Sequence, residues 1–363
     1  MNNTANAETE AIVKPPVASV GIIGWIRGNL FNNIFNSILT LVTLYLLGRV
    51  IPPFIRWAFI DSQWLAGSEG CRGVDGACWA VIPANIRFIL FGFFPYELQW
   101  RPLLAMILLV GLLFYSRNRR HWKKSLLYAW LAGLFIMGLL MKGGLGLTPV
   151  ESTLWGGLPL TLLLSFFGLA VAYPLGVILA LGRQSQMPAI KTLCIVYIEM
   201  IRGVPLITLL FMSSIVFPLF LPEGVTVNVI LRAQVAIIMF TAAYIAEVVR
   251  GGLQGMAKGQ YEAAESLGLN YYQTMRLVIL PQALKIVIPP TVSQLISALK
   301  DTSLVVIIAL YDLLKTTQSV LSNPKWMAFS SELYIFVALI YFACCYFMSS
   351  YSRRLEEELD RSL

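Results

Sequence analysis

The sequence is poor in charge, since only 13% of its 363 residues are Asp, Glu, Lys or Arg, whereas soluble domains carry about 25%. Its hydrophobic fraction is 58%, and its mean hydropathy is +0.73. The apolar residues stand in long uninterrupted runs, and a run of about 18 residues is long enough to cross the hydrocarbon core as a helix. These features exclude a soluble globular protein and predict an integral membrane protein.

Catalytic side chains are equally scarce. The one histidine, His121, lies in a basic stretch, and no Cys/His pair or pair of carboxylates points to a single site. The cysteines Cys194, Cys344 and Cys345 have no metal-ligand spacing, so no metal site is expected. The phosphate-binding pattern G-x-x-x-x-G-K-[ST] is absent from the sequence. We therefore expect that this chain is no enzyme and binds no cofactor.

The apolar runs predict an all-α membrane protein with about eight transmembrane helices. The predicted spans are 35–51, 102–115, 125–141, 157–181, 205–221, 229–248, 286–299 and 333–348. We expect Pro52 and Pro53 to close the first span. The apolar stretch 304–310 is too short to cross alone and is interpreted as a half-inserted or interfacial helix.

Orientation is predicted from the positive-inside rule, by which short cytoplasmic loops are rich in Lys and Arg. The densest basic cluster lies between the second and third spans and consists of Arg117, Arg119, Arg120, Lys123 and Lys124. With this cluster inside, both termini and the loops 183–202 and 250–284 are cytoplasmic, and segment 61–101 is external. The N-terminal tail, 1–33, lacks the layout of a cleavable signal peptide. The basic residues form no groove-binding stripe, so no nucleic-acid partner is expected.

The external segment carries two closely spaced cysteines, Cys71 and Cys78. The glycines between them, Gly73 and Gly76, allow a small disulfide loop in an oxidising compartment. The alternative is two free thiols at a membrane surface.

The loop at 250–284 has the pattern of two short helices joined by a tight turn. Residues 262–267 favour a helix, and Gly268 follows where a helix ends in a left-handed residue. Asn270 can then cap a second helix, with Gln273 in the reciprocal position of a capping box. Leu280-Pro281 is expected to end that helix. A connecting loop needs no such regularity, so the pattern suggests a docking element for another protein.

This loop resembles the EAA loop of ABC importer permeases, whose pattern is E-A-A, three residues, G, nine residues, I-x-L-P. The matching positions here are Glu262, Ala263, Ala264, Gly268, Leu280 and Pro281. Val278 stands where the family has isoleucine, which is a mild departure. The resemblance implies that the short helices sit in a cleft of an ATPase subunit and pass nucleotide-driven closure to the spans.

Three further runs, YIEMIRGVPLI, AAYIAEVVRGGLQ and LISALKDTSL, resemble those of the polar amino-acid uptake branch. The resemblance covers about Gly157 to the C terminus and implies a five-helix permease core. The first three spans look like the extension of the larger general amino-acid permeases. The implied organisation is a cytoplasmic tail at 1–33, a three-span extension at 34–148, a permease core at 149–350 and a cytoplasmic tail at 351–363.

Polar residues in the predicted seventh span are candidates for a substrate path. Gln294, Ser297 and Asp301 are spaced three and four residues apart, so they share one helix face with Ser293 beside it. The prolines at 289–290 are expected to break the helix and free carbonyl groups, as in the broken helices of transporters. The alternative is that this face makes hydrogen bonds to a neighbouring helix.

Three charged residues near span ends are candidates for a gate. Glu247 and Arg250 lie three residues apart near the inner end of the sixth span and share a helix face; an interfacial ion pair is the simpler interpretation. Lys300 lies near the outer end of the seventh span, where it would contact a soluble receptor or close an outer gate. A solvated helix end is the alternative for Lys300.

The resemblance implies the permease subunit of an ATP-driven importer of polar or general L-amino acids in a bacterial inner membrane. ATP and magnesium would bind to a partner ATPase dimer. The other implied partners are a periplasmic amino-acid-binding protein, membrane lipid and a second permease. We expect that permease to be a related but different chain, because a duplicated extension would be redundant. The competing hypothesis, an ion-coupled secondary transporter, is disfavoured by the regular loop and by the lack of repeated spans.

Overall fold

The computed structural model describes residues 21–65, 70, 71, 73 and 75–360, apart from the side chains of Arg119 and 358–360. Residues 1–20 of the predicted N-terminal tail, 66–69, 72 and 74 of the predicted external segment, and 361–363 lie outside the described residues. Seven helices in the described part are long and apolar enough to cross a membrane, or eight if one bent pair counts as a span. The predicted fold class, an all-α membrane protein with about eight spans, is confirmed.

The chain divides into two compact units, and the first ends at Ala80. Its helices are α1 (Gly21–Asn29) and α2 (Ile34–Ile55), and α2 runs on into a π turn at Arg56–Ile60. The prediction that Pro52 and Pro53 close this span is therefore wrong. Each proline lacks an N–H, but the N–H of Arg56 donates to the carbonyl oxygens of both prolines. In an apolar run, continuing the helix keeps the later backbone groups bonded.

A small disulfide-closed loop follows in the same unit. Cys71 and Cys78 are joined by a disulfide bond. The indole N–H of Trp79 donates to the carbonyl oxygen of Ala58 at 2.7 Å, and two further tryptophan rings lie about 6 Å away. The loop after the first span is thus packed around aromatic side chains.

The second unit, from Val81 onward, begins with a short apolar helix, α3 (Val81–Phe91). This helix lies inside the predicted external segment 61–101, and its residues Ile89 and Phe91 are buried. The segment is therefore partly an apolar, packed helix and not only a connecting loop. Two spans follow, α4 (Trp100–Ser116) and α5 (Lys124–Lys142), close to the predicted second and third spans. Arg101 is buried at the start of α4 and donates to the carbonyl and hydroxyl oxygens of Thr148, both at 2.7 Å.

The core begins with α6 (Gly157–Arg183), α7 (Pro188–Gly203) and α8 (Leu206–Phe211). Most of the predicted loop 183–202 is thus helical. The predicted fifth span, 205–221, is also not one straight helix. It consists of α8, a π turn at 212–216 and a 3-10 turn at 217–220, and it is bent by 102° from α7. The bend falls at Val204, because a residue before proline is disfavoured in the helical conformation.

The remaining helices are α9 (Val229–Gln254), α10 (Lys258–Ser266), α11 (Tyr271–Gln273), α12 (Leu280–Asp301), α13 (Leu313–Val320) and α14 (Ser330–Asp360). From α11 a π turn at 274–279 leads into α12, and a 3-10 turn at 302–308 follows α12, so the stretch 304–310 prolongs this span. The predicted helix end at 280–281 is wrong, because the π turn changes the hydrogen-bond register just before Pro281. The predicted break at 289–290 is wrong too, since α12 passes through both prolines.

Helix α9 lies at the centre of the core and packs against α6, α7 and α12. Helix α9 can approach α6 closely because Gly176 of α6 has no side chain. A Cβ at that position would lie 2.6 Å from the side chain of Ile245 on α9. We call the end of this unit where α9 leads into α10 the loop end, and the opposite one the far end. At the far end, the buried Asp312 caps α13 by accepting the N–H groups of Leu314 and Lys315. Asp312 therefore fixes the start of α13 at the far end of the bundle.

Candidate functional site

The helix–turn–helix predicted at 250–284 is present at the loop end. Helix α10 is followed by Gly268 with φ +74°, a left-handed conformation that glycine adopts without steric cost. Asn270 and Gln273 form the expected capping box: the Gln273 N–H donates to Asn270 Oδ1 at 2.9 Å, and the Asn270 N–H donates to Gln273 Oε1 at 3.0 Å. Tyr261, a residue of α10, is partly buried, and this burial raises the pKa of its phenol.

The two alanines of the E-A-A run have different environments. Ala264 is 2% exposed and packs inside the chain, whereas Ala263 and Glu262 are exposed. Leu267 is 79% exposed at the turn. Two tyrosines at the start of the next helix, Tyr271 and Tyr272, are exposed as well. We call Ala263, Leu267, Tyr271 and Tyr272 the loop tip. The sequence reasoning missed Leu267 and the tyrosines, although apolar residues in a polar loop were a signal for them.

Glu247 lies at the centre of a charge cluster at the loop end, where three helices meet. Its carboxylate is 3.6 Å from Nη1 of Arg183 on α6 and 3.4 Å from Nη1 of Arg202 on α7. It also accepts two hydrogen bonds from Arg250 on α9, one of them from Nε at 2.9 Å. Arg183 donates to Glu199 of α7 at 2.9 Å. We call these five residues the ionic cluster.

The predicted contact between Glu247 and Arg250 is therefore present, but it is one part of a larger arrangement. The sequence reasoning did not bring in Arg183, Glu199 and Arg202. The sequence does contain a signal for a larger charge cluster, because the pattern E-x-x-R occurs twice, at 199–202 and at 247–250. The cluster members Glu247, Arg183, Arg202 and Arg250 have side chains that are about a quarter to a third exposed. Solvent therefore screens the attraction between their charges only in part.

The candidate path residues lie on one side of α12, as predicted. Ser293 and Ser297 are exposed, and Gln294 and Asp301 are partly buried. The buried residues Thr291, Leu295, Ala298 and Leu299 occupy the opposite side. We call Ser293, Gln294, Ser297 and Asp301 the polar stripe. Lys300, one residue before the end of α12, is exposed. The polar stripe thus lies on the surface of this chain, where a second surface would be needed to enclose it.

Within the described part of the chain, no group of three His, Cys, Asp or Glu residues is placed to hold a metal ion. The one histidine, His121, has its ring stacked on Tyr115 with centroids 4.0 Å apart. The described residues thus offer a docking surface, a charge cluster and a polar stripe as candidate sites.

These features define a multi-span, all-helical membrane protein that carries a structured helix–turn–helix at one end of its bundle. Residues 172–361 match the family described as the binding-protein-dependent transport system inner membrane component. The chain belongs to this family and is an amino-acid ABC transporter permease.

Two relatives are similar over nearly the whole chain. The inner membrane amino-acid ABC transporter permease protein YhdY of Escherichia coli (strain K12) is 45% identical over 93% of this chain and 92% of its own length. The glutamate/glutamine/aspartate/asparagine transport system permease protein BztC of Rhodobacter capsulatus is 38% identical over 99% of both chains. The similarity to both relatives therefore reaches into the N-terminal spans.

A solved structure is similar over a shorter part of the chain. The crystal structure of an amino acid ABC transporter with histidines is 32% identical, with a TM-score of 0.50. It covers 56% of this chain and 92% of its own chain. The similarity to this structure is thus limited to about half of the chain.

Proposed function

We propose that this amino-acid ABC permease forms a translocation path with a second permease and couples to an ATPase dimer through its helix–turn–helix at 250–284. The substrates are polar or general L-amino acids. The observation that carries this proposal is the exposed loop tip. Ala263 on α10 and Leu267 directly after α10 are both solvent-exposed in an otherwise polar segment. The fold of this chain requires neither a small side chain at Ala263 nor an apolar one at Leu267. Such residues are explained by a partner surface that excludes water from them.

The nature of that partner follows from what the chain lacks. The sequence has no G-x-x-x-x-G-K-[ST] phosphate loop, so ATP and magnesium are bound by the separate ATPase subunits. Gly268 forms the left-handed turn of the helix–turn–helix, while Glu262 and Ala263 lie on its exposed side. Leu280 and Pro281 begin α12 directly after the π turn. The family's name places these permeases in systems that depend on a binding protein. We therefore include a periplasmic amino-acid-binding protein, which would dock at the far end near Lys300.

The polar stripe supports a path shared with a second permease. Polar groups on a membrane helix are costly unless they face water or another protein. Ser293 and Ser297 are exposed, and Gln294 and Asp301 are partly buried. This chain alone therefore does not enclose the polar stripe, and the facing surface must come from elsewhere. We propose that a related but different permease supplies it and that the path between the two chains is aqueous. The name of the Rhodobacter relative contains four amino acids, glutamate, glutamine, aspartate and asparagine. All four are polar, which supports this substrate class.

The ionic cluster is proposed as the inner gate. Glu247 links α6, α7 and α9 through three arginines, and a change in the angles between these helices would change those distances. In this arrangement the membrane is the bacterial inner membrane, and both termini lie in the cytoplasm. Basic residues at the loop end support that orientation.

Co-purification of the ATPase tests the proposal. The permease is co-expressed with its candidate ATPase and second permease as wild type, as Ala263→Arg and as Ala189→Arg. Arginine is a good helix former, so Ala263→Arg leaves α10 helical and places a long cation on the loop tip. Ala189 is an exposed alanine on α7, and Ala189→Arg is the matched control. We expect Ala263→Arg to insert normally and lose the ATPase, while the control retains it.

The competing hypothesis, an ion-coupled secondary transporter, predicts a different outcome. No form would hold an ATPase, and the chain alone in liposomes would move amino acids along a proton or sodium gradient. Retention of the ATPase by Ala263→Arg as fully as by the control would contradict docking at the loop tip.

A further inference from the structure

The loop that joins α4 and α5 carries five basic residues within a stretch of eight, Arg117, Arg119, Arg120, Lys123 and Lys124. We call these five residues the basic cluster. Its described side chains, all but that of Arg119, are exposed. The cluster lies at the loop end, because the opposite end of α5 is near the start of α6, where the Lys142 carbonyl oxygen accepts the N–H of Val150 at 2.8 Å.

Negative charge is scarce around the basic cluster. No Asp or Glu occurs from 98 to 150, and none of the four described cations forms an ion pair with a described residue. The end of α14 lies beside the loop, since the Tyr351 hydroxyl donates to the carbonyl oxygen of Ser116 at 3.3 Å. Residues 353–361, which follow Tyr351, carry three positive and four negative charges. They offset one cation at most, so the cluster keeps most of its positive charge.

The stability of the fold does not account for these cations. Lys123 caps the start of α5 and Lys124 is its first residue, and no acidic residue occurs in the first turn. At the start of a helix the backbone dipole favours negative charge and disfavours positive charge. Cations placed close together also repel one another. An anionic partner would offset both costs.

Two tryptophans place the loop at the level of the membrane surface. The indole N–H of Trp122 donates to the carbonyl oxygen of Ser116 at 2.9 Å, and that of Trp130 donates to its hydroxyl oxygen at 2.8 Å. Tryptophan concentrates where a membrane meets water, with its ring at the level of the lipid headgroups. Because α4 and α5 are both long and apolar enough to span the membrane, the cations between them lie within reach of lipid phosphates.

One face of α5 continues from the basic cluster into the membrane. Lys124, Tyr128, Leu131 and Phe135 are spaced four, three and four residues apart, so they lie on the same side of the helix. Tyr128, Leu131 and Phe135 are 66%, 57% and 67% exposed. The face extends for about 16 Å along the helix axis. Cations at one end of an apolar face match a phospholipid, in which acyl chains extend from a charged headgroup.

We propose that the basic cluster and this face of α5 bind an anionic phospholipid. The phosphate lies among Arg120, Lys123 and Lys124, where charge-assisted hydrogen bonds form, and an acyl chain lies along Leu131 and Phe135. A zwitterionic lipid gains less, because its own cation competes for the phosphate. A protein partner would have to supply both carboxylates at the membrane surface and an apolar surface below them. The inference requires only that the chain spans a membrane, and it does not depend on the proposed ATPase contact.

Native mass spectrometry of the full-length chain, purified in a neutral detergent, tests the proposal. The chain is titrated with palmitoyl-oleoyl phosphatidylglycerol, with the corresponding phosphatidylcholine and with glycerophosphate, which has no acyl chain. The variant Lys123→Gln/Lys124→Gln removes two cations, and glutamine is a good helix former. We expect its affinity for phosphatidylglycerol to fall about 25-fold, about fivefold for each cation, with little change for phosphatidylcholine. The matched control, Lys142→Gln/Lys325→Gln, removes two exposed lysines outside the cluster and should bind like wild type.

A preference of the wild type for phosphatidylglycerol that the cluster variant loses and the control retains would support the proposal. Equal binding of the two phospholipids by the wild type would overturn it, because the cluster would then serve only to orient the chain in the membrane. Glycerophosphate bound as tightly as phosphatidylglycerol would contradict it too, since the ligand would be a soluble phosphate. In cells, a photoreactive p-benzoylphenylalanine in place of Tyr128 should cross-link to lipid. Efficient cross-linking to a protein subunit would show that protein covers this face and would refute the proposal.

Discussion

The replacement Glu247→Gln tests whether the ionic cluster holds three helices together. Glutamine has nearly the same shape as glutamate and still accepts a hydrogen bond from Arg250, so the change mainly removes one negative charge. Arg183, Arg202 and Arg250 would then share the region with Glu199 as the one remaining carboxylate of the cluster. We expect the inner ends of α6, α7 and α9 to separate more easily.

The size of the effect can be bounded from the burial of the pairs. Fully exposed ion pairs contribute about 0.2–1 kcal/mol, and removing one partner of a buried pair costs about 3–5 kcal/mol. The Glu247 side chain is 25% exposed, and those of its three arginine partners are 24–31% exposed. We therefore expect Glu247→Gln to lower the free energy of unfolding by about 2 kcal/mol. For a chain of 363 residues, with about 2.1 cal/mol/K of unfolding entropy per residue, that corresponds to a fall of about 2–3 °C in the midpoint of thermal inactivation.

The assay is the temperature at which half of the detergent-purified complex stays monodisperse after heating. Glu199→Gln is the matched control, because Glu199 pairs with Arg183 at 2.9 Å but its side chain is 53% exposed. We expect that control to lose less than about 1 kcal/mol. In liposomes, Glu247→Gln should also raise the ATP hydrolysed per amino acid transported, since a loosened gate leaks. Equal thermal midpoints for the two variants would refute the idea that Glu247 organises the cluster.

Three further changes have outcomes that can be worked out from the structure. Ala264→Leu should overpack the interior of the helix–turn–helix and cost about 1–3 kcal/mol, seen as earlier proteolysis of that loop. Arg101→Lys loses the two-pronged contact with Thr148 and should lower thermal stability by about 1.5–3 kcal/mol. Reduction of the bond between Cys71 and Cys78 opens an eight-residue loop, which should loosen it by about 2.5 kcal/mol and shift the fluorescence of the neighbouring tryptophans.

Much of the fold was predictable because the membrane imposes simple rules. Long apolar runs located most of the spans, and the run at 125–141 agrees with α5 (Lys124–Lys142). The turn at Gly268 and the capping box at Asn270 were also predictable, since both depend on neighbouring residues alone.

The prolines were the main source of error. Helix ends were predicted at Pro52 and Pro281, and a break was predicted at Pro289, but the helices continue at all three positions. These predictions used the rule that proline ends or breaks a helix, which holds for chains whose backbone is exposed to water. In an apolar environment a broken helix would expose backbone groups with no water to bind them. A π turn before Pro281 resolves the conflict, and no local sequence pattern announces it.

Contacts between segments that are far apart in the chain could also not be predicted from the sequence. Glu199 and Glu247 are separated by 48 positions in the sequence, and their meeting at the ionic cluster depends on how α7 crosses α9. The different environments of Ala263 and Ala264 depend on which side of α10 rests on the π turn. Such features arise from three-dimensional packing, so a single sequence does not reveal them.

The continuous helical segment Tyr271–Ile308 has a mechanical consequence. Its 38 residues form a stiff rod of roughly 57 Å at about 1.5 Å per residue, with the loop tip at one end and the polar stripe towards the other. Non-helical residues join α10 to its neighbours on both sides, at 255–257 towards α9 and at 267–270 towards the rod. On the coupling proposed above, a displacement of Tyr271 and Tyr272, which lie on the rod itself, would reach the polar stripe through continuous helix, whereas a displacement of Ala263 would first have to pass the turn at 267–270. Within this rod the helical geometry changes at the π turn at 274–279 and at the 3-10 turn at 302–308. These are positions at which a displacement along the rod can become a change of angle.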